Sequence, residues 1–269
     1  MQKEFGVPLK LATWNINSVR LRIDLVTHFL QQHQPDVLCL QETKVRDSEF
    51  PHGDFRKAGY PHIAINGQKG YHGVAVVSKH PLELVEKREF FGKGDARHLH
   101  VRVEGMDVHN FYVPAGGDEP DPETNEKFAH KLGFLAEMQD WFAQGEVTKG
   151  KAILVGDLNI APLEHDVWSH KALLKIVSHT PVEVAALNAV LGAGQWVDAM
   201  RLLIPVDEKL YTWWSYRAAD WAVANKGRRL DHIWLSPSLV PQLKTISVLR
   251  EARGWERPSD HVPVIVELS

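Results

Sequence analysis

What most constrains the fold of this chain is a series of short apolar runs, each the length of a β-strand, recurring from one end to the other. They fall at residues 9–14, 36–40, 73–78, 98–103, 107–113, 151–155, 230–235, 245–249 and 262–268. The runs are rich in Val, Ile and Leu and are bounded by Gly, Pro, Asn or Asp, residues that end strands and form turns. Helical spacing is confined to 18–33, where Ser18 is the expected N-cap and Pro35 the stop, to 123–144, and more weakly to 181–191. Several strands follow one another without an intervening helix. That excludes a regular βαβ alternation and predicts two packed, mainly antiparallel sheets flanked by helices. No repeat, low-complexity segment or linker interrupts the pattern, so residues 1–269 read as one domain, with the acidic stretch 115–123 as its longest loop.

Composition narrows the classes further. The single cysteine, Cys39, excludes a disulfide framework and any metal site built from thiolates, and its place in an apolar run predicts a buried small hydrophobe. No apolar stretch approaches the roughly 20 residues of a bilayer span, and the N-terminus lacks a signal-like apolar region, so a cytoplasmic protein without membrane contact is expected. A formal net charge of −3 excludes a uniformly basic nucleic-acid wrapper; any contact with DNA must come from a local basic face. His98 and His100 share a strand face by alternation, but no further ligand pairs with them to make a zinc site.

Polar residues interrupt the strands in one recurrent way. The first run ends in Asn15-Ile16-Asn17, the second in Gln41-Glu42-Thr43-Lys44, the fifth at Tyr112-Val113-Pro114, and the sixth in Gly156-Asp157-Leu158-Asn159. Asp231 and Ser259-Asp260-His261 stand where later strands begin. Antiparallel neighbours bring a C-terminal end beside an N-terminal one, so all six segments are expected at one edge of the sandwich. Glu42, Asp157, Asp231 and Asp260, with a histidine and several amides, form an oxygen-rich set suited to a hard cation such as Mg²⁺ or Mn²⁺. Taken singly, each has an ordinary reading: an Asx-turn at Asp157, a solvated Glu42, a turn at Ser259-Asp260-His261, a core ring at Tyr112. Their coincidence at strand ends is what favours a site.

Taken together, these segments closely resemble the successive motifs of the exonuclease III family of DNA repair nucleases, within the endonuclease/exonuclease/phosphatase superfamily. Gly70-Tyr71-His72-Gly73-Val74-Ala75 and Tyr211-Thr212-Trp213-Trp214-Ser215-Tyr216-Arg217 extend the likeness over nearly the whole chain, in order. The resemblance implies a four-layer α/β-sandwich and a Mg²⁺-dependent phosphoesterase, with Mn²⁺ as a substitute, acting as a monomer on duplex DNA with damaged or recessed 3′ ends. It makes Glu42 the principal metal ligand, with Asn15 beside it, Asp260 and Asn17 within reach through water, and Asp157, Asn159 and His261 bordering the ion. Asp157 would activate the attacking water, Asn159 would orient it and donate to phosphate, and His261, held by Asp231, would face the transition state. Tyr112 would donate to the scissile phosphate or support the leaving group. Whether one metal or two act stays open.

For substrate binding the resemblance points to Arg20, Lys44, Tyr71, Arg97 and Arg217 along the phosphate backbone, and to Trp213 and Trp214 at a pocket for a base-less sugar or a 3′ end, one of the two facing substrate. Lys226, Arg228 and Arg229 are the best candidates for a local positive face. The chain departs from the family pattern at Ala115, where an amide is usual, in the acidic loop behind it, and at Leu173, Ile176, Val177 and His179. These departures favour 3′-end processing over internal cleavage at abasic sites. Rival readings are a phosphoesterase for inositol phosphates or sphingomyelin on the same scaffold, and a DNA-binding module with a dead site. A P-loop is excluded, since Gly67-Gln68-Lys69-Gly70 precedes a strand and lacks the Gly-Lys-Ser/Thr element.

Overall fold

The computed structural model describes residues 8–269. The first four strands are β1 (Leu9–Asn15), β2 (Val37–Gln41), β3 (His62–Asn66) and β4 (Val74–Ser78). Next come β5 (Leu82–Glu86), β6 (His98–Val103), β7 (Met106–Tyr112), β8 (Ala152–Asp157) and the short β9 (Val197–Asp198). A small ribbon of β10 (Trp213–Trp214) and β11 (Gly227–Arg228) precedes β12 (Asp231–Leu235), β13 (Leu243–Val248) and β14 (Val264–Leu268). They assemble into two six-stranded sheets, ordered β13-β14-β1-β2-β4-β3 and β5-β6-β7-β8-β12-β9. Each sheet is antiparallel except for one central parallel pair, β1–β2 in the first and β7–β8 in the second.

Helices cover the outer faces. Val26, Phe29 and Leu30 of α1 (Ile23–His33) and Phe55 of α2 (His52–Lys57) pack on Ala12, Trp14, Leu38 and Leu40 of the first sheet. On the second sheet, α3 (Glu126–Ala143) and α5 (Pro181–Ala193) cover Phe111, Leu154 and Trp234, with the short α4 (His170–Leu173) between them in sequence. Two further short helices, α6 (Ala199–Leu203) and α7 (Trp221–Ala224), complete the set. The expected four-layer sandwich is therefore present, and Cys39 lies between the sheets as a buried hydrophobe.

Strand alternation explains both the core and its end. Leu9, Leu11, Val37, Cys39, Val108, Ile153, Val155 and Ile233 point between the sheets and fuse into one apolar cluster. Continue each column by two residues toward the same edge and it turns polar: Thr13 and Asn15, Gln41, Asn110 and Tyr112, Asp157, Asp231. The first of these polar layers is knit by side-chain hydrogen bonds. Gln41 Nε2 donates to Thr13 Oγ1 at 2.9 Å and to Asn110 Oδ1 at 2.7 Å, so the apolar core is covered by a linked polar stratum in which Gln41 Oε1 has no partner.

The structure revises three expectations. Helix α1 starts at Ile23 rather than behind Ser18, because Asn17 and Ser18 adopt φ of 48° and 84° and the Ser18 and Val19 amides donate to the carbonyls of Glu42 and Thr43. The backbone there is committed to the site. Convergence of the strand ends owes as much to the central parallel pairs as to antiparallel neighbours, since parallel partners deliver two C-terminal ends to one edge. β3 and β5, unanticipated, flank the sheets as edge strands; most of β5 is exposed and lacks the continuous apolar run of a buried strand.

Four imidazoles lie on the outer face of the second sheet. His98 and His109 sit 3.2 Å apart by their ring nitrogens under Trp141, with His100 stacked on His109 at 4.1 Å between centroids. Burial, helped by the neighbouring His100, drives His98 and His109 well below the usual histidine value; burial and Arg229 bring His232 to about 4. The unfolded chain protonates these rings near pH 6.5 and the folded one resists. Stability is thus lost as pH falls from about 6.5 toward 4, and a ring lowered to about 4 costs roughly 2 kcal/mol between pH 7 and pH 5. Asp157 and His261, both raised, offset part of this. Urea unfolding should give a clearly smaller free energy at pH 5 than at pH 7; an equal or larger value at pH 5 would contradict the assignment of neutral buried rings.

Candidate active site

Asn15, the last residue of β1, joins the two sheets. Its Nδ2 donates to Glu42 Oε1 at 2.9 Å and to Asp157 Oδ2 at 2.8 Å, while its Oδ1 accepts from the Asn17 amide at 3.1 Å. Glu42 follows β2 of the first sheet and Asp157 ends β8 of the second. Two carboxylates from different sheets therefore flank one amide group. Asp157 is reached through Gly156, whose φ is 134° and whose missing Cβ would lie 2.0 Å from the Phe111 carbonyl oxygen. Only glycine lets β8 approach β7 that closely.

Around Asp157 stands a relay of buried groups. Asp231, the Cα partner of Asp157 across β8 and β12, accepts from His261 Nδ1 at 2.8 Å through its Oδ2. The opposite ring nitrogen, Nε2, is 3.6 Å from Asp157 Oδ2. Burial by itself would lower the His261 imidazole, but Asp231 and Asp157 outweigh it and hold the ring up at about 10. Burial raises Asp157 to about 7, against the pull of the His261 cation. Asn159, at φ 55°, donates its amide N–H to Asp157 Oδ1 at 2.9 Å and its Nδ2 to the Val113 carbonyl at 2.9 Å and Asp157 Oδ2 at 3.2 Å. Both Nδ2 hydrogens are thereby used, which leaves Oδ1 as the free atom of that side chain rather than the phosphate donor expected from sequence. Tyr112 lies beside both carboxylates; burial, Glu42 and Asp157 hold its phenol well above the usual value, so it is a donor at neutral pH.

A second lobe is built only of oxygens around a cation. The Lys44 ammonium donates to Asn17 Oδ1 at 2.7 Å and lies 2.9 Å from Glu42 Oε2; Asn17 Nδ2 in turn donates to Asp260 Oδ1 at 3.2 Å. Burial works to raise Glu42, but Lys44 and Asn15 outweigh it and hold the carboxyl below its usual range. Asp260 is likewise held low by His261, Trp213 and Asn17 against its burial. An oxygen set that already gathers round a positive charge has the chemistry of a hard-cation site. The other grouping with ligand spacing, Asp157, Asp231 and His261, is a buried acid–histidine cluster consistent with a metal site, in which the two acids keep the imidazole protonated when no ion is present. Among the described residues it is the only such cluster of His, Cys, Asp and Glu.

The site opens into a cleft of about 540 Å³ whose lining includes Glu42, Tyr112, Asp157, Asn159, Asp260 and His261. Its walls carry Trp213, Arg217 and Arg228 from the expected binding set, with Lys226 and Ala115. Arg228 donates to the Val177 carbonyl at 2.9 Å and to Ser178 Oγ at 2.7 Å, and its guanidinium lies 5.3 Å from the Trp213 ring centroid. One tryptophan of the expected pair reaches the cleft: Trp214 is buried and spends its Nε1 on Asn225, which leaves Trp213 there. Other placements differ from expectation. Arg97 is buried against Asp95 and the Tyr112 carbonyl, under the Tyr112 ring, and braces that residue. Arg229 is fully buried between Asp166 and Asp198, so of the expected basic cluster Lys226 and Arg228 face the cleft, beside Arg217. Arg20 pairs with Glu49 on the surface, and Tyr71 is exposed; neither lines the cleft. His179 is buried against His170 and the Ala161 carbonyl, so it presents nothing to a substrate. Sequence reading missed Trp168 in the cleft wall, and Lys131 with Glu183 behind it. The helical spacing of 123–144 was the only signal for Lys131.

Residues 12–261 match the model of the Endonuclease/Exonuclease/phosphatase family. The chain belongs to that family. It is 30% identical over 271 residues to the exodeoxyribonuclease III of Haemophilus influenzae, covering 96% of this chain and 99% of that one. An AP endonuclease from Archaeoglobus fulgidus superposes with a TM-score of 0.90 at 33% identity, over 97% of this chain and 99% of its own. A 3′ phosphatase from Neisseria bound to a product DNA hairpin gives 0.87 at 32% identity, again over 97% and 99% of the two chains.

The Asp231–His261 contact makes a direct prediction for this family member. In the metal-free protein the His261 ring should keep its proton through pH 8, with a midpoint near 10 by NMR titration. Asp231→Asn should lower that midpoint by about two pH units or more, as expected when a buried ion-pair partner is removed. A wild-type ring already neutral at pH 7.5 would refute the charged relay.

Proposed function

We propose that this chain is a Mg²⁺-dependent phosphoesterase that removes 3′ nucleotides or 3′ blocking groups, phosphate and phosphodiester, from duplex DNA. More broadly, it is a DNA repair nuclease of the exonuclease III and AP endonuclease type. The observation that carries the reading is the single Asn15 amide holding Glu42 and Asp157 together, with His261 3.6 Å from the latter: a cation lobe and a base lobe a few ångströms apart. Glu42, Asn17 and Asp260 would hold Mg²⁺, or Mn²⁺ in its place, which supplies charge neutralisation at the phosphate.

The remaining work falls to side chains. Asp157 Oδ2 accepts a proton from the attacking water, and Asn159 Oδ1 orients that water while its backbone and Nδ2 fix the Asp157 carboxylate. The His261 imidazolium directs Nε2–H at a non-bridging oxygen as charge builds there, its Nδ1 locked on Asp231. Tyr112, kept neutral, donates its phenol hydrogen to the phosphate or the departing oxygen. Arg217, Lys226 and Arg228 attract the backbone at the rim, with Trp213 as the apolar wall for the terminal sugar.

End processing is favoured over internal cleavage by the 115–118 stretch of the cleft lining. Ala115 brings no hydrogen-bonding side chain, and Gly117 and Asp118 bring no positive charge, so a strand continuing past the scissile bond meets an acidic surface. His179, being buried, lends no support to this preference. The test is a panel of duplexes: blunt, recessed, nicked with a 3′-phosphate, and internally abasic. Turnover should require Mg²⁺, vanish in chelator, and fall about a thousandfold in Asp157→Asn, the scale of a lost general base with its charge contribution. The 3′-phosphate nick should be the better substrate. A strong preference for the abasic duplex overturns the end-processing reading, and activity in chelator or in Asp157→Asn overturns the mechanism.

A further inference from the structure

Beneath the cleft lies a charge that the mechanism leaves unused. Lys131 projects from α3 and is 0% exposed, as is the Glu183 side chain of α5 with which it pairs. The ammonium has three acceptors: the Asn159 carbonyl at 2.8 Å, the Ala115 carbonyl at 3.2 Å and Glu183 Oε1. Glu183 completes a capping box by accepting the Thr180 amide at 3.2 Å, and it also accepts from the Ser178 amide at 2.9 and 3.0 Å and from Thr180 Oγ1 at 2.6 Å. The fit is close: a Cβ on Gly116 would lie 2.9 Å from Lys131 Cδ. Residues 115, 159 and 178 line the cleft from three separate loops, and one buried ion pair ties all three.

A buried pair of this kind is seldom retained for stability, because removing two charges from water costs several kcal/mol per ion that an apolar replacement avoids. The loops it serves leave paired strands and are already joined by Asn159 Nδ2 on the Val113 carbonyl, but the 115 and 159 carbonyls themselves meet on the Lys131 ammonium. Ala115 and Asn159 belong to loops after different strands, and the Asn159 backbone at φ 55° is in a conformation that costs energy unless it is held. Its amide fixes Asp157 Oδ1, so any shift of the 159 carbonyl is passed to the catalytic carboxylate two residues earlier.

We propose that Lys131 is a positioning residue for hydrolysis: its buried ammonium fixes the Asn159 and Ala115 loops, and Glu183 serves only to neutralise it from the cap of α5. The inference rests on the phosphoesterase reading for its kinetic test, whereas its exchange test does not. Lys131→Met removes the anchor and strands Glu183; Lys131→Met with Glu183→Gln removes both charges; Glu183→Gln alone keeps the ammonium on the two carbonyls. All three are compared with the full-length protein below their melting temperatures.

Both Lys131 variants should lose about thirtyfold or more in kcat with KM within twofold, while Glu183→Gln keeps kcat within threefold although it too melts earlier. Amide hydrogen exchange should quicken at 115–118 and 158–161 in the Lys131 variants and not in Glu183→Gln. A purely structural role would lower the melting of all three and leave kcat and those exchange rates alike, which overturns the proposal. Failure of both Lys131 variants to fold while Glu183→Gln folds assigns the ammonium to folding and overturns it as well. If the wild type turns over no 3′-phosphate duplex, the functional reading fails, and the exchange pattern alone still decides for or against the anchor.

Discussion

Two carboxylates sharing one amide define this molecule. Glu42 and Asp157 approach the same Nδ2 of Asn15 within 2.9 and 2.8 Å, closer than like charges would settle unaided. Each is stabilised from its own side, Glu42 by the Lys44 ammonium and Asp157 by the His261 imidazolium, so the amide is a bridge between two compensated charges. That bridge fixes how the sheets meet at this rim. β1 carries the amide, the neighbouring β2 leads to one acid and β8 of the other sheet ends in the other, so sliding one sheet past the other breaks the Asn15–Asp157 bond.

The scaffold makes this possible by letting strand alternation run past the end of its apolar core. An inward column of Val, Ile and Leu becomes, two residues later, a column of Thr, Gln and Asn, and then one of acids and tyrosine. The first polar stratum is linked by side-chain hydrogen bonds and acts as a floor; the second faces the cleft. Asp231 Oδ1 has no hydrogen-bond partner at all, so much of that carboxylate's field is directed at His261. Backbone strain collects at the same place. Asn17, Ser18, Glu42, Lys44, Asn159 and Ser178 all have positive φ, a conformation held by the loop-to-loop hydrogen bonds of the rim.

Much of this was legible in the sequence because it is written in local register. An apolar run ending in Glu42 or in Gly156-Asp157 states which strand end carries which group, and the ordered set of such ends states that they share an edge. What could not be read is where long cationic side chains turn. Arg97, Arg229 and Lys131 have the spacing of surface residues, yet all three are buried by partners distant in the chain: Tyr112 for the first, Asp166 and Asp198 for the second, Glu183 for the third. Trp213 and Trp214 differ only in which face of a two-residue strand they occupy, and tandem tryptophans give no local sign of that. The start of α1 was misread for a related reason. Ser18 is a fine capping residue by type, but its amide is claimed by the Glu42 carbonyl across the rim.

The charge arrangement sets acids at the centre of the cleft and cations at its wall. With Glu42, Asp231 and Asp260 ionised against Lys44 and His261, and Asp157, raised to about 7, ionised in part, the centre carries an excess of negative charge that opposes the entry of an anion. Arg217, Lys226 and Arg228 line the same cleft without pairing with those acids. Lys44 cannot close the gap, since its ammonium is already counted in the balance. Under the phosphoesterase reading, a divalent ion would offset that excess: a DNA strand would be drawn to the rim by charges that salt screens, and its phosphate would enter the centre once the ion is held there. Substrate binding and metal binding would then be coupled through electrostatics.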